Sequence, residues 1–179
     1  GDIGSVLTLT YINFKVTKQS NNKWIKFNGV KTLKNVYGHD WLGFISGTAS
    51  IDYESRAFNV NVEYDNGQTA IWNHARQSSW SFADNGAPNG IDLFNFECNG
   101  DTSLNGYSAV ESWGTNRYGQ PFTTYYNNDW NSDSYCGFWR PTSGQLTHAV
   151  NSSNFILTLG VDPSGNLITN PDLCAYGFK

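Results

Sequence analysis

Methionine is absent from this 179-residue chain, and lysine plus arginine number only 11 against 15 acidic residues, for a net charge of −4. That balance, with no basic-aromatic stripe, speaks against nucleic acid as a partner. No run of about eighteen apolar residues occurs, so no membrane-spanning helix is expected. No charged-then-apolar leader opens the sequence. There is no C-x-x-C, and with three histidines a Cys/His metal site is not expected. The dinucleotide G-x-G-x-x-G, the P-loop and the G-x-S-x-G nucleophile elbow are all missing. No bound cofactor is therefore expected. Apolar residues never recur at helical spacing over a long stretch, so almost no helix is predicted.

What fills the chain is Asn, Ser, Thr, Gly and aromatics: 18 Gly, 7 Trp, 10 Tyr and 11 Phe. Such a composition fits a secreted protein whose leader has been removed. Cys98, Cys136 and Cys174 then imply one disulfide and one leftover thiol, with three pairings open. Asn151-Ser152-Ser153 is a glycosylation sequon. Charge is uneven. Lys15, Lys18, Lys23, Lys26, Lys31 and Lys34 fall in a window without an acid between Asp2 and Asp40. They read as a solvated strand face with edge lysines, or as a patch for an anionic surface.

The strand signals are dense. Ile12, Phe14 and Val16 alternate with Asn13, Lys15 and Thr17. Gln19–Asn22 reads as a turn and Lys23–Phe27 as a short strand. Asn28-Gly29 reads as a second tight turn before a strand over Val30–Val36. Leu42–Tyr53 reads as a strand, as does Ile91–Cys98, where Leu93 breaks the alternation and suggests a bulge. Phe155–Val161 runs into the turn Asp162–Asn166, and Leu167–Thr169 and Leu173–Phe178 follow. Turn signals every eight to twelve residues predict an all-β antiparallel sandwich, immunoglobulin-like or jelly-roll-like. Residues 1–179 make one domain, with a possible subdivision near 81–90.

The most informative stretch is Phe58–Trp80. Phe58, Val60, Val62 and Tyr64 alternate with polar residues, and Asp65-Asn66-Gly67-Gln68 gives the strongest short hairpin signal, positive φ at both central positions. A return strand begins at Thr69. Asn73–Ser79 then reads as a polar loop between Trp72 and Trp80. Residues 107–139 are also aromatic-rich, with Tyr125-Tyr126-Asn127-Asn128-Asp129-Trp130-Asn131 at their centre. Its amides favour a loop, which would leave some rings in water. A faint echo links the two regions: Gly67-Gln68 before Trp72-Asn73, and Gly119-Gln120 before Tyr126-Asn127.

The first of these stretches resembles the end of the starch- and glycogen-binding modules of some fungal glucoamylases and glycogen-targeting phosphatase subunits. Those modules close on Y-x-x-x-G-x-x-x-W-D-N-N-x-x-x-N-Y. Here Tyr64 and Trp72 match with that spacing and Gly67 comes one residue early. Asn73 stands for the Asp, His74 and Ala75 for the Asn pair, Ser79 for the last Asn and Trp80 for the Tyr. The resemblance covers roughly residues 44–80. It implies an immunoglobulin-like sandwich more than it implies starch as ligand.

A carbohydrate-binding role follows as the expectation. A polysaccharide or glycan would stack on Trp72 and Trp80 beside Asn73, or on Tyr125, Tyr126 and Trp130 beside Asn127. Stacking buries apolar C–H area at roughly 25 cal/mol per Å². The alternative is a small secreted glycoside hydrolase or lyase with a carboxylate pair. Its candidates are Asp52 with Glu54, at i, i+2 on one strand face, and Glu97 with Glu111. A serine–histidine–acid set drawing on His39, His74 or His148 has no local motif behind it. A membrane-active role is the third class, resting on clustered Tyr and Trp.

Overall fold

The computed structural model describes residues 2–38, 51–83, 93–100, 110–133, 141–170, 174 and 177–179; for residues 51, 80–83, 93–100 and 133 it describes the backbone alone. Ten strands follow in order: β1 (Val6–Thr17), β2 (Trp24–Tyr37), β3 (Ile51–Tyr64), β4 (Thr69–Ala83) and β5 (Leu93–Gly100), then β6 (Val110–Thr115), β7 (Pro121–Asp133), β8 (Pro141–Val150), β9 (Ser153–Val161) and β10 (Gly177–Phe178). There is no helix among the described residues, and none long and apolar enough to cross a membrane.

The all-β antiparallel class is as expected. All ten strands join one hydrogen-bonded sheet, in the order β1-β2-β3-β4-β5-β7-β8-β9-β10. Strand pairing alone does not divide them into two layers. Strand β6 pairs with β4 and β7, the same neighbours that flank β5. Arg76 pairs with Gly100 of β5, and His74 pairs with Ser112 of β6. The two short strands thus share one place in the sheet, end to end.

Three sequence expectations are corrected. Asn28-Gly29 is not a turn: β2 runs unbroken through it, and the pair sits opposite bulges. Asn73–Ser79 is not a loop but the middle of β4, paired with β3 on one side. Tyr125–Asn131 is likewise strand, the centre of β7. In each case polar side chains were read as solvated, whereas neighbouring strands supply partners for their backbone groups. The expected strand over 42–50 and residues 91–92 lie outside the described residues, as do Leu173 and the 84–90 segment.

The hairpin after β3 is confirmed with a different turn. Tyr64 and Gln68 are joined by a backbone bond of 2.9 Å, and the Gly67 N–H donates to the Tyr64 carbonyl at 2.9 Å. Positive φ falls on Gly67, at 81°, and not on Asn66. This is a type I turn closed by a left-handed glycine rather than a turn with two positive φ values. Asn116–Gln120 and Asp162–Asn166 repeat the same bonds, with Gly119 at 72° and Gly165 at 82°. The echo between residues 64–68 and 116–120 is therefore a shared turn.

A second repeat involves asparagine. Asn13 and Asn59 both have φ of 52°, at bulges in β1 and β3. The Asn13 N–H donates to Asn28 Oδ1 at 2.7 Å, and the Asn59 N–H donates to Asn73 Oδ1 at 2.8 Å. Each bulge exposes a backbone donor, and an amide on the next strand accepts from it.

Directly paired residues share a face of the sheet. The face carrying Ala57, Val60, Val62, Ala70, Tyr126 and Leu159 holds most of the buried apolar side chains and is here termed the inner face. Strand β1 contributes little to that core. Val6, Leu7, Ile12 and Phe14 are all more than half exposed. Cys174 is disulfide-bonded; the side chain of Cys98, and Cys136, lie outside the described residues.

Candidate functional site

Trp72, His74, Arg76 and Ser78 alternate along β4 and all point to the inner face. Pairing places Ser55 beside Arg76, Ala57 beside His74, and Lys31 beside Ala57. Glu111 joins this group from β6, at a bulge between Val110 and Ser112. Its carboxylate is the hub. Tyr126 donates its hydroxyl hydrogen to Oε2 at 2.5 Å, while Oε1 lies 3.4 Å from His74 Nδ1 and 3.5 Å from Arg76 Nη1. His74 Nε2 in turn lies 3.1 Å from Ser55 Oγ. Ser55, His74 and Tyr126 are all buried. Trp72 stacks on His74 with ring centroids 5.3 Å apart. Gly114 pairs with Trp72, and a Cβ there would fall 1.9 Å from the Ile71 carbonyl oxygen, so glycine is what lets β6 approach β4 this closely.

The electrostatics follow from burial and neighbours. Burial is the largest single influence on Glu111 and pushes its pKa up. The His74 hydrogen bond, the Arg76 charge and the Tyr126 hydroxyl together outweigh it, so the carboxyl sits below its ordinary value. Lys31 is lowered, first by burial and then by Arg76, with Glu111 opposing both. The cluster is thus a partly buried belt of two cations, one carboxylate, an imidazole and two hydroxyls.

The outer face of β7–β9 differs. Asn127 is exposed, and its amide nitrogen donates to Gln145 Oε1 at 2.9 Å and to Thr147 Oγ1 at 2.8 Å. The Gln145 amide nitrogen donates to Thr158 Oγ1 at 3.1 Å. Asn131 Nδ2 donates to Ser143 Oγ at 3.3 Å. Tyr125, paired with Thr147, is half-buried on this same face. Asn127, Gln145, Thr147 and Thr158 thus form one ribbon across three strands, with Thr147 buried within it, and Asn131 with Ser143 forms a separate pair.

The residues expected to bind a sugar are therefore divided. Tyr125 and Asn127 meet on the outer ribbon. Tyr126 faces inward and is only 4% exposed, its hydroxyl committed to Glu111. Asn73 is buried and spans two strands. It accepts from Asn59 and donates to the Trp113 carbonyl at 3.1 Å. Trp72 is half-buried on the inner face, and Trp130 donates its indole N–H to Ser132 Oγ at 3.0 Å. The side chain of Trp80 lies outside the described residues.

The acids are divided too. Asp52 and Glu54 share the outer face, as expected, but Glu54 is ion-paired with Arg56. Glu111 points to the inner face, so it forms no carboxylate pair with them. The Glu97 side chain lies outside the described residues. Among the described residues no group of three His, Cys, Asp or Glu side chains is placed to hold a metal ion. His74 and Glu111 are separate candidates in the sequence, while Ser55 and Lys31 carry no local sign of joining them. For Arg76 the signal is the alternation of Trp72, His74, Arg76 and Ser78.

Comparison with known proteins adds no relative: no family model, no curated protein and no solved structure matches this chain.

Proposed function

We propose that this is a secreted carbohydrate-binding protein whose saccharide lies along the outer ribbon of β7, β8 and β9. The observation that carries the reading is the Asn127–Gln145–Thr147–Thr158 chain of side-chain hydrogen bonds beside Tyr125. Saccharides present rows of hydroxyls at the edge and apolar C–H groups on the ring face. A ribbon of amides and hydroxyls answers the first, and a phenol ring the second. The ribbon's members already hold one another in place. Little side-chain entropy remains to be lost on binding, which favours recognition by a shallow surface. Both hydrogens of the Asn127 amide are used within the ribbon, leaving its Oδ1 to accept from a ligand hydroxyl. A secreted location agrees with a disulfide-bonded Cys174.

The test is retention on a panel of insoluble and gel-embedded polysaccharides, followed by a glycan array. Binding to at least one glycan is expected. Asn127→Ala should weaken it about five-fold, the worth of roughly 1 kcal/mol for one hydrogen bond. Absence of retention across the panel and the array would overturn the reading.

A further inference from the structure

A different set of contacts, on the opposite face, carries an activity. Ser55 Oγ lies 3.1 Å from His74 Nε2, and His74 Nδ1 lies 3.4 Å from Glu111 Oε1. The order is hydroxyl, imidazole, carboxylate, with each ring nitrogen facing a different partner. With Glu111 facing Nδ1, the tautomer protonated at Nδ1 leaves Nε2 to accept from the serine hydroxyl. We propose that Ser55, His74 and Glu111 form a nucleophilic relay that cleaves carboxylic esters. Such sets are defined by geometry and roles rather than by sequence position, and they recur on unrelated folds.

Ser55 Oγ attacks the ester carbonyl carbon as His74 Nε2 takes the hydroxyl proton. The carbon–oxygen bond to the leaving alcohol then breaks, and His74 returns the proton to that alcohol. Water, activated by the same imidazole, releases the acyl group as a carboxylic acid and restores the serine. Glu111 touches no substrate. It is a positioning residue that orients the imidazole and stabilises its charged form.

Two further observations fit the chemistry. Arg76 is the cross-strand partner of Ser55, and Lys31 is that of Ala57, two residues on. Pairing thus places a cationic residue on each strand that flanks the serine, both on its face of the sheet. Glu111 is itself anchored by the Tyr126 hydroxyl, so the orienting carboxylate is held at both oxygens.

The experiment is labelling of the intact chain with a fluorophosphonate, in which the serine oxygen–phosphorus bond forms and fluoride leaves. Peptide mass mapping then locates the adduct, and hydrolysis of p-nitrophenyl acetate is followed in parallel. An adduct on Ser55 is expected. The labelling and hydrolysis rates should fall at least a hundred-fold in His74→Gln. Glu111→Gln should lower kcat with KM little changed. Ser55→Ala should remove the adduct, and if it does not fold, mapping of the wild-type chain decides alone. Absence of an adduct on Ser55 in the folded wild-type chain, or equal labelling in folded His74→Gln, would overturn the proposal. Glycan retention is read separately, so the two readings stand or fall independently.

Discussion

Tyr125 and Tyr126 are neighbours in sequence and opposites in environment. Tyr126 turns inward, loses nearly all its surface and donates to a carboxylate at 2.5 Å. Tyr125 turns outward beside an exposed amide ribbon. A strand separates adjacent residues by its pleat, so one aromatic-rich stretch can serve two purposes at once. The inner belt concentrates charge where water is scarce, and each member depends on the others. The outer ribbon uses neutral amides and hydroxyls that run from exposed Asn127 to buried Thr147. The inner belt should therefore respond to mutation in stability, and the ribbon in ligand affinity.

The largest effect belongs to the hub. Glu111→Ala leaves His74, Arg76 and the Tyr126 hydroxyl facing an empty site. The pair with Arg76 is only partly buried, so the loss is set by the hydrogen bond to a charged group, about 1.5–3 kcal/mol, and urea denaturation should find a loss of that size. A smaller and reversible version comes from pH. The Glu111 carboxyl binds its proton less readily in the folded chain than in the unfolded one, whose value is 4.5. Its contribution is complete above pH 4.5 and is lost as pH falls through the lower folded value. The melting temperature of the wild-type chain should drop on acidification in that range, and that of Glu111→Gln should drop less. The asparagine repeat sharpens the contrast at lower amplitude. Asn73 is buried and bonded on both sides, so Asn73→Ala should cost about 1–3 kcal/mol. Asn28 makes the equivalent bond to Asn13 at an exposed site, and Asn28→Ala should cost under about 1 kcal/mol by the same denaturation measurement.

The hairpins were the legible part of this fold. β-branched and aromatic density with glycine-bearing turns is local information, and β1, β3 and the turn at 64–68 follow from it. The strict alternation does not hold, because the bulges at Asn13 and Asn59 put Ile12 and Phe14, and likewise Phe58 and Val60, on opposite faces of the sheet. The polar tracts were not legible. Asn73–Ser79 looks like a loop because its side chains are hydrophilic, yet it is central strand, and its polar groups meet Glu111 from β6 and Ser55 from β3. Those partners are far away in the chain, and no local pattern announces them. The Asn28-Gly29 pair misled for a related reason. Asn28 serves a bulge in the next strand, Gly29 lies against Val60, and neither bends the chain back. Of the residues expected to bind a sugar, Tyr125 and Asn127 lie on the outer face, whereas Tyr126 and Asn73 are buried. The register of β7, with its bulge between Tyr126 and Asn128, decides which ring faces out, and composition carries no trace of it.

The central claim is that saccharide recognition lives on the outer ribbon and that the inner belt takes no part in it. The most direct measurement pairs Asn127→Ala with Tyr126→Phe, reading both denaturation and calorimetric titration with the best-retained glycan. Asn127→Ala should weaken binding about five-fold with stability within about 0.5 kcal/mol of wild type. Tyr126→Phe should lose about 1.5–3 kcal/mol of stability, the range for a hydrogen bond to a charged group, with the glycan dissociation constant unchanged. The opposite pattern, affinity lost at Tyr126 and untouched at Asn127, would contradict the account.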